Sequence, residues 1–161
     1  MSWRAQTLGE VLESRVAVDP ALVTQTGRFT YGKLTEKAKQ AAGSLQALGI
    51  RKGDHVGILM GNGEDWLSLF YGAAMIGAVT VPVNTRFKTA EIDFCLKQAQ
   101  CKLLVYTERF LNIDFGAMVR ETGFANAVEL GELPSGRYTA VAVEPDDILL
   151  SLIHISEPTR H

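Results

Sequence analysis

The sequence predicts an α/β fold, a mainly parallel sheet with flanking helices. Short apolar runs alternate with amphipathic stretches of about ten residues or more, the order of right-handed βαβ units. Residues 56–60 (Val-Gly-Ile-Leu-Met) are near-continuously apolar, the pattern of a parallel strand buried on both faces. Glycines and capping residues fall at the boundaries between runs.

Thr7-Leu8-Gly9-Glu10 forms a capping box, and Leu8, Val11, Leu12 and Val16 follow at helical spacing until Asp19-Pro20 ends the helix. Residues 21–25 and Arg28-Phe29 read as short strands about a turn at Gly27. Thr30 opens a long helix with Leu34, Ala38, Ala41, Leu45 and Leu48 on its buried stripe, closed by Gly49 in a left-handed position. Lys52-Gly53-Asp54 and His55 belong to a turn, and strand 56–60 follows. Gly61-Asn62-Gly63 is a tight loop before a mostly apolar helix over 64–78, broken near Gly77. Further on, the pattern predicts a strand at 79–83, a helix at 89–99, a strand at 102–107, a helix at 109–121 and a strand at 127–130. Residues 131–147 carry Pro134, Gly136 and Pro145 with little periodicity and read as a loop. Gly72 and Gly77 are expected to let a helix lie close against the sheet, and Pro82 to sit near a strand end.

The chain has 161 residues, 47% hydrophobic and 21% charged, a balance that supports a buried core. The net charge of −2 and the lack of a basic stripe give no sign of a nucleic-acid partner. No apolar run approaches the roughly 18 residues of a membrane span, and no signal peptide is legible at the N-terminus, so a cytoplasmic location is the expectation. Cys95 and Cys101 have no C-x-x-C spacing and no nearby histidine; they read as reduced thiols in or beside a core, not as zinc ligands.

Several ordered blocks then point to a family. Phe29-Thr30-Tyr31 with Leu34, Leu48-Gly49-Ile50 with Gly53-Asp54-His55-Val56, Gly72-Ala73 through Gly77-Ala78 to Val81-Pro82-Val83-Asn84, and then Thr85-Arg86-Phe87 with Glu91-Ile92 occur at characteristic spacing. Together they resemble the N-terminal part of the AMP-forming acyl-CoA synthetases of the adenylate-forming superfamily, over most of residues 7–149. The resemblance implies the first subdomain of a larger N-terminal domain. It implies a parent enzyme that uses ATP, Mg²⁺ and CoA to convert a small-molecule carboxylic acid to an acyl-adenylate and then an acyl-CoA. The family's Ser/Thr/Gly-rich phosphate loop, its Mg²⁺-binding acid, its ribose-binding Asp and its mobile lysine have no counterpart in these residues. The chain is therefore expected to be inactive alone. Two other readings stand beside it: a stand-alone flavodoxin-like nucleotide- or CoA-binding module, and a truncated product without function. Residues 150–160 resemble one reading frame of a common transposase sequencing adapter. Residues 1–149 are thus expected to be the partial domain and 150–161 a non-native tail, with His154, Ser156 and Thr159 excluded from any site.

Candidate site residues are few. Gly61-Asn62-Gly63 sits where a phosphate loop could be. It lacks the Lys and Ser/Thr of a P-loop, and Glu64 and Asp65 in the next helical turn would repel a phosphate. Arg86 follows a strand end, where open α/β sheets place ligands, and its guanidinium suits a CoA phosphate, as the resemblance implies; the plainer reading is an ion pair with Glu91 or Asp93. Trp66, Phe70 and Tyr71 read as core packing or a domain interface, with an acyl-pocket wall as the alternative. No catalytic residue and no metal ligand is assigned.

Overall fold

The computed structural model describes residues 6–24 and 27–152. Gln25, at the end of the first expected strand, and 153–161, with His154, Ser156 and Thr159, lie outside the described residues.

The elements run α1 (Leu8–Glu13), β1 (Pro20–Thr24), β2 (Gly27–Thr30), α2 (Tyr31–Ala47), β3 (His55–Leu59), α3 (Glu64–Met75), β4 (Val79–Pro82), α4 (Thr89–Gln98), β5 (Leu103–Tyr106), β6 (Arg109–Phe110), β7 (Ile113–Asp114), α5 (Phe115–Thr122) and β8 (Ala127–Glu129), then a 3₁₀ turn at Leu130–Glu132. The main sheet has the order β4-β3-β5-β8 with every pair parallel. Val56 faces Thr80 on one side and Leu103 on the other.

Alternate strand residues feed two cores. Val56, Ile58, Leu103 and Val105 pack with Leu12, Leu34, Ala38, Leu45, Leu69 and Ala73, so α1, α2 and α3 cover one face. Leu59, Val81 and Leu104 pack with Ile92, Leu96, Phe115 and Val119, so α4 and α5 cover the other. The central strands β3 and β5 are largely apolar because most of their residues meet one layer or the other.

Local signals explain most boundaries. The Thr7 backbone N–H donates to Glu10 Oε2 at 2.7 Å, and the Glu10 N–H donates back to Thr7 Oγ1 at 3.3 Å, closing the capping box. Thr30 caps α2 by accepting from the Lys33 N–H. Gly49 adopts φ +80° beyond the end of α2.

Four expectations need correction. Helix α1 stops at Glu13: the Ser14 hydroxyl bonds the Val11 carbonyl, and Val16, placed on the buried stripe by spacing, is 60% exposed. His55 opens β3 instead of lying in the turn. The helix expected over 109–121 begins only at Phe115. The Asp114 carboxylate accepts from the Ala117 N–H at 2.8 Å and sets the start, while residues 109–114 form the β6–β7 hairpin. Phe110 had the right spacing for the helix, but its burial serves the hairpin. Finally, Gly72 meets a helix, not the sheet. A Cβ there would lie 2.8 Å from the Ala38 carbonyl oxygen and from Ala41 Cβ. Gly77 supplies the left-handed residue past α3, at φ +68°.

The irregular segment after Glu132 crosses α2 as a strap. The Gln46 side-chain amide donates to the Thr139 carbonyl at 2.8 Å and accepts from the Thr139 N–H at 2.9 Å. Gly43 and Gly136 touch backbone to backbone, each leaving no room for a Cβ on the other. Lys52 then holds Asp147 at 2.6 Å and the Ala142 carbonyl at 3.1 Å. This delivers Leu149 to the sheet edge, where the Thr80 N–H donates to Leu149 O and the Ser151 N–H donates to Thr80 O, both at 2.9 Å. Replacing Gly43 with Ala should therefore push the strap off α2 and lower stability by about 1–3 kcal/mol, the usual range for overpacking. Urea unfolding checks this; an unchanged midpoint would show that the strap is not seated.

Candidate functional site

Ligands of open α/β sheets bind beyond the carboxyl ends of the strands, where neighbouring connections diverge. Here β3 leads through α3 to β4, and β5 leads through α5 to β8 on the other side. The divergence lies between β3 and β5, and a crevice of about 340 Å³ opens there, lined in part by Gly61, Asn62, Trp66, Thr107, Arg109 and Phe110.

That crevice is poorly suited to a nucleotide phosphate. The Phe110 ring fills the space a Cβ on Gly61 would need, and stacks on Phe115 with centroids 6.1 Å apart. The amino end of α3 is already compensated by Glu64 and Asp65. Lys37 bonds both carboxylates, at 2.9 and 3.1 Å, with its ammonium 5.4 Å from the Phe29 ring centroid. Burial draws the Lys37 pKa down, but the hydrogen bonds and charges of Glu64 and Asp65 outweigh it and hold the pKa above the ordinary lysine value. Two acids and the lysine paired with them therefore sit at the helix start beside the loop. Sequence reasoning singled out neither Arg109 nor Thr107 in this crevice; the Thr107 hydroxyl is buried without a partner among the described residues.

The second carboxyl end belongs to β4. Past Pro82 and Val83, the Asn84 side-chain oxygen accepts from the Arg86 N–H at 2.9 Å and the Asn84 carbonyl accepts from the Phe87 N–H at 3.0 Å. Phe87 packs against the second core, and Arg86 is left exposed. Neither acid weighed as its partner pairs with it here: Glu91 accepts from the Lys88 N–H at 2.7 Å, and Asp93 pairs with Lys97 at 2.6 Å. Among the described residues, the Arg86 guanidinium has no carboxylate partner.

Trp66 and Phe70 stack at 5.5 Å, and Phe70 meets Tyr71 edge-on at 5.6 Å. All three are half-buried, and Trp66 and Tyr71 pack against the first core. His55 Nδ1 lies 2.6 Å from the Ala99 carbonyl, a structural contact between β3 and the end of α4. No group of three or more His, Cys, Asp or Glu is placed to hold a metal among the described residues. At the crevice, the acids at the start of α3 are a poor match for the phosphates of ATP.

The family model described as AMP-binding enzyme matches residues 12–150. The chain belongs to that family.

The relatives agree with this assignment. The long-chain-fatty-acid–CoA ligase FadD13 of Mycobacterium tuberculosis is 40% identical over 106 residues, covering 63% of this chain and 21% of the relative. Acyl-CoA ligase SID4 of Ajellomyces capsulatus is 38% identical over 108 residues, covering 64% and 18%. The inhibitor-bound N-terminal domain of FACL13 from M. tuberculosis superposes with a TM-score of 0.79 at 29% identity, over 90% of this chain and 40% of that one. A fatty acyl CoA synthetase from the same organism gives 0.78 at 31%, over 91% and 32%. The chain spans about a fifth of the length of the curated relatives it matches. It carries the parallel sheet and flanking helices of the N-terminal domain of adenylate-forming enzymes.

In this chain the two thiols lie in and just beyond the end of α4. Gln100 takes φ +51°; its N–H bonds Lys97 O and the Cys101 N–H bonds Leu96 O, the paired bonds of a Schellman motif. Cys95 is buried, Cys101 half-buried, and both are free. Burial, and then the neighbouring Cys95, pushes the Cys101 thiol up to about 12; burial raises Cys95 too. Neither is an activated nucleophile. A thiol whose pKa is raised by folding contributes stability below its unfolded value, which is lost as pH climbs toward the folded one. Between about pH 8.5 and 10 this should cost the wild type on the order of 1 kcal/mol, roughly half the full linkage value because Cys101 is partly solvated. Cys101→Ala should flatten that alkaline decline in chemical-denaturation measurements, whatever it does to stability at neutral pH.

Proposed function

We propose that residues 1–149 are the leading α/β portion of an ATP-dependent carboxylic acid–CoA ligase, and that the 161-residue chain alone does not activate an acid. The parent enzyme, on this reading, condenses a carboxylate with ATP to an acyl-adenylate and pyrophosphate, then passes the acyl group to the CoA thiol and releases AMP. Mg²⁺ would offset phosphate charge in the first step. Residues 150–161 stand outside the ligase sequence. A cytoplasmic location fits; among the described residues no helix is long and apolar enough to cross a membrane.

The observation that carries the proposal is the division of charge at the carboxyl edge. The amino end of α3 is neutralised by Glu64, Asp65 and Lys37, while Arg86 projects unpaired beyond β4. The turn after β4 thus offers an exposed guanidinium suited to a phosphate, with Lys88 exposed beside it. Arg86 is assigned to a CoA phosphate, a contact that guanidinium geometry favours.

Two measurements test this. The chain should release no ATP-dependent pyrophosphate with medium-chain, long-chain or aryl acids, and clear turnover would overturn the reading. Residues 1–149 placed in the matching segment of the M. tuberculosis FadD13 ligase should restore an active enzyme. In that chimera Arg86→Ala should raise KM for CoA about tenfold, the loss of roughly 1.4 kcal/mol, and leave pyrophosphate release in the adenylation step unchanged. An equal loss in both half-reactions would remove Arg86 from CoA binding.

A further inference from the structure

Lys52 lies in the turn before β3, at the amino edge of the sheet. That turn is fastened to the start of β4: the Gly53 N–H donates to the Gly77 carbonyl and the Val79 N–H to the Asp54 carbonyl, both at 2.8 Å. The Lys52 stem lies against Gly77, where a Cβ would come within 2.8 Å of Lys52 Cγ. Its ammonium meets the strap twice, at the Ala142 carbonyl (3.1 Å) and at the Asp147 carboxylate (2.6 Å). Asp147 is braced in turn. Its carboxylate accepts from the Glu144 N–H at 2.7 Å, and its own N–H donates to the Glu144 carbonyl at 3.0 Å. Two residues later the Leu149 carbonyl accepts from the Thr80 N–H at 2.9 Å.

Residues up to 149 alone therefore set a direction. The chain leaves the amino edge at Lys52 and runs beside β4 toward the carboxyl edge, where Arg86 projects and where open α/β sheets hold their ligands. Slipping this stretch by one residue would turn every following side chain to the opposite face. We infer that Lys52 and Asp147 are positioning residues of the parent ligase: their ion pair fixes the register in which the chain beyond Leu149 reaches the ligand edge. This rests on the ligase reading above, in which the stretch beyond Leu149 is the first part of the remaining enzyme to arrive there. The two side chains are 39% and 24% exposed. A pair so exposed adds little to overall stability, so its effect falls on register and not on melting.

Hydrogen exchange at the Thr80 amide reads the register bond in the full chain. Lys52→Met keeps the stem against Gly77 and Asp147→Asn keeps an acceptor for Glu144; each should speed that exchange about tenfold. Lys39→Met is the control. It breaks the Lys39–Glu13 pair, also 2.6 Å long and 43% and 45% exposed, and should leave Thr80 exchange unchanged. In the chimera with FadD13, Lys52→Met and Asp147→Asn should each lower kcat for pyrophosphate release about tenfold or more with KM for ATP unchanged. The double variant should lose no more than either single one, and Lys52→Asp with Asp147→Lys should recover part of the loss. The Lys39→Met chimera should keep its kcat. Unchanged Thr80 exchange, a kcat loss matched by Lys39→Met, or losses that add in the double variant would each overturn the inference. An unsubstituted chimera that releases no pyrophosphate would overturn the ligase reading, and this inference with it, even where Thr80 exchange responds as expected.

Discussion

The close approach of α2 and α3 is the constraint on which the rest of this structure depends. Gly72 lies directly against the backbone of α2, where any side chain would strike the Ala38 carbonyl, Ala41 Cβ or the Ala42 N–H. Ala38, Ala41 and Ala42 supply the atoms nearest Gly72, and all three are buried, so small side chains on α2 permit the approach. Because the two helices sit backbone to backbone, Leu34, Leu45 and Leu69 can all reach the same face of the sheet. Interior packing at this density leaves no slack for a larger residue at the seam.

The same seam sets the electrostatics of the carboxyl edge. With α2 against α3, Lys37 reaches across to Glu64 and Asp65 in the first turn of α3. The three charges and the helix dipole then satisfy one another, and the usual anion site of a strand–loop–helix unit is closed. The β6–β7 hairpin closes it sterically as well, by laying Phe110 over Gly61. What remains open is the turn after β4, where Asn84 holds the backbone and Arg86 stays free. The fold thus separates a structural charge cluster, built to be satisfied, from the exposed Arg86 beyond β4, the strand that Leu150 meets in an isolated parallel bridge.

That continuation depends on contacts far apart in sequence. The strap is guided by the glycine pair at 43 and 136, by the Gln46 amide and by Lys52, and only then does Leu149 meet Thr80. None of these anchors lies in a regular element of the strap itself. The segment has no periodicity because its order comes from backbone and side-chain groups on α2 and the turn before β3.

Much of the fold was legible from local chemistry. The capping box at Thr7, the Thr30 cap, the left-handed Gly49 and the doubly buried strand before Gly61 act over a few residues, so their residue types determine them. The sequence by itself also shows that Gly61-Asn62-Gly63 lacks the Lys and Ser/Thr of a P-loop and is followed at once by two acids. Only the tertiary structure decided the rest. The apolar spacing from Phe110 to Val119 fits a helix, but Asp114 caps it late and Phe110 packs on Gly61, a residue remote in sequence. Spacing likewise cannot say whether Gly72 faces a sheet or a helix. Whether Arg86 would pair with Glu91 or Asp93 was equally undecidable, since the built helix sets which groups each acid meets, here the Lys88 N–H and Lys97. Residue types determine which local shapes form; which groups are then left free depends on the packing between elements.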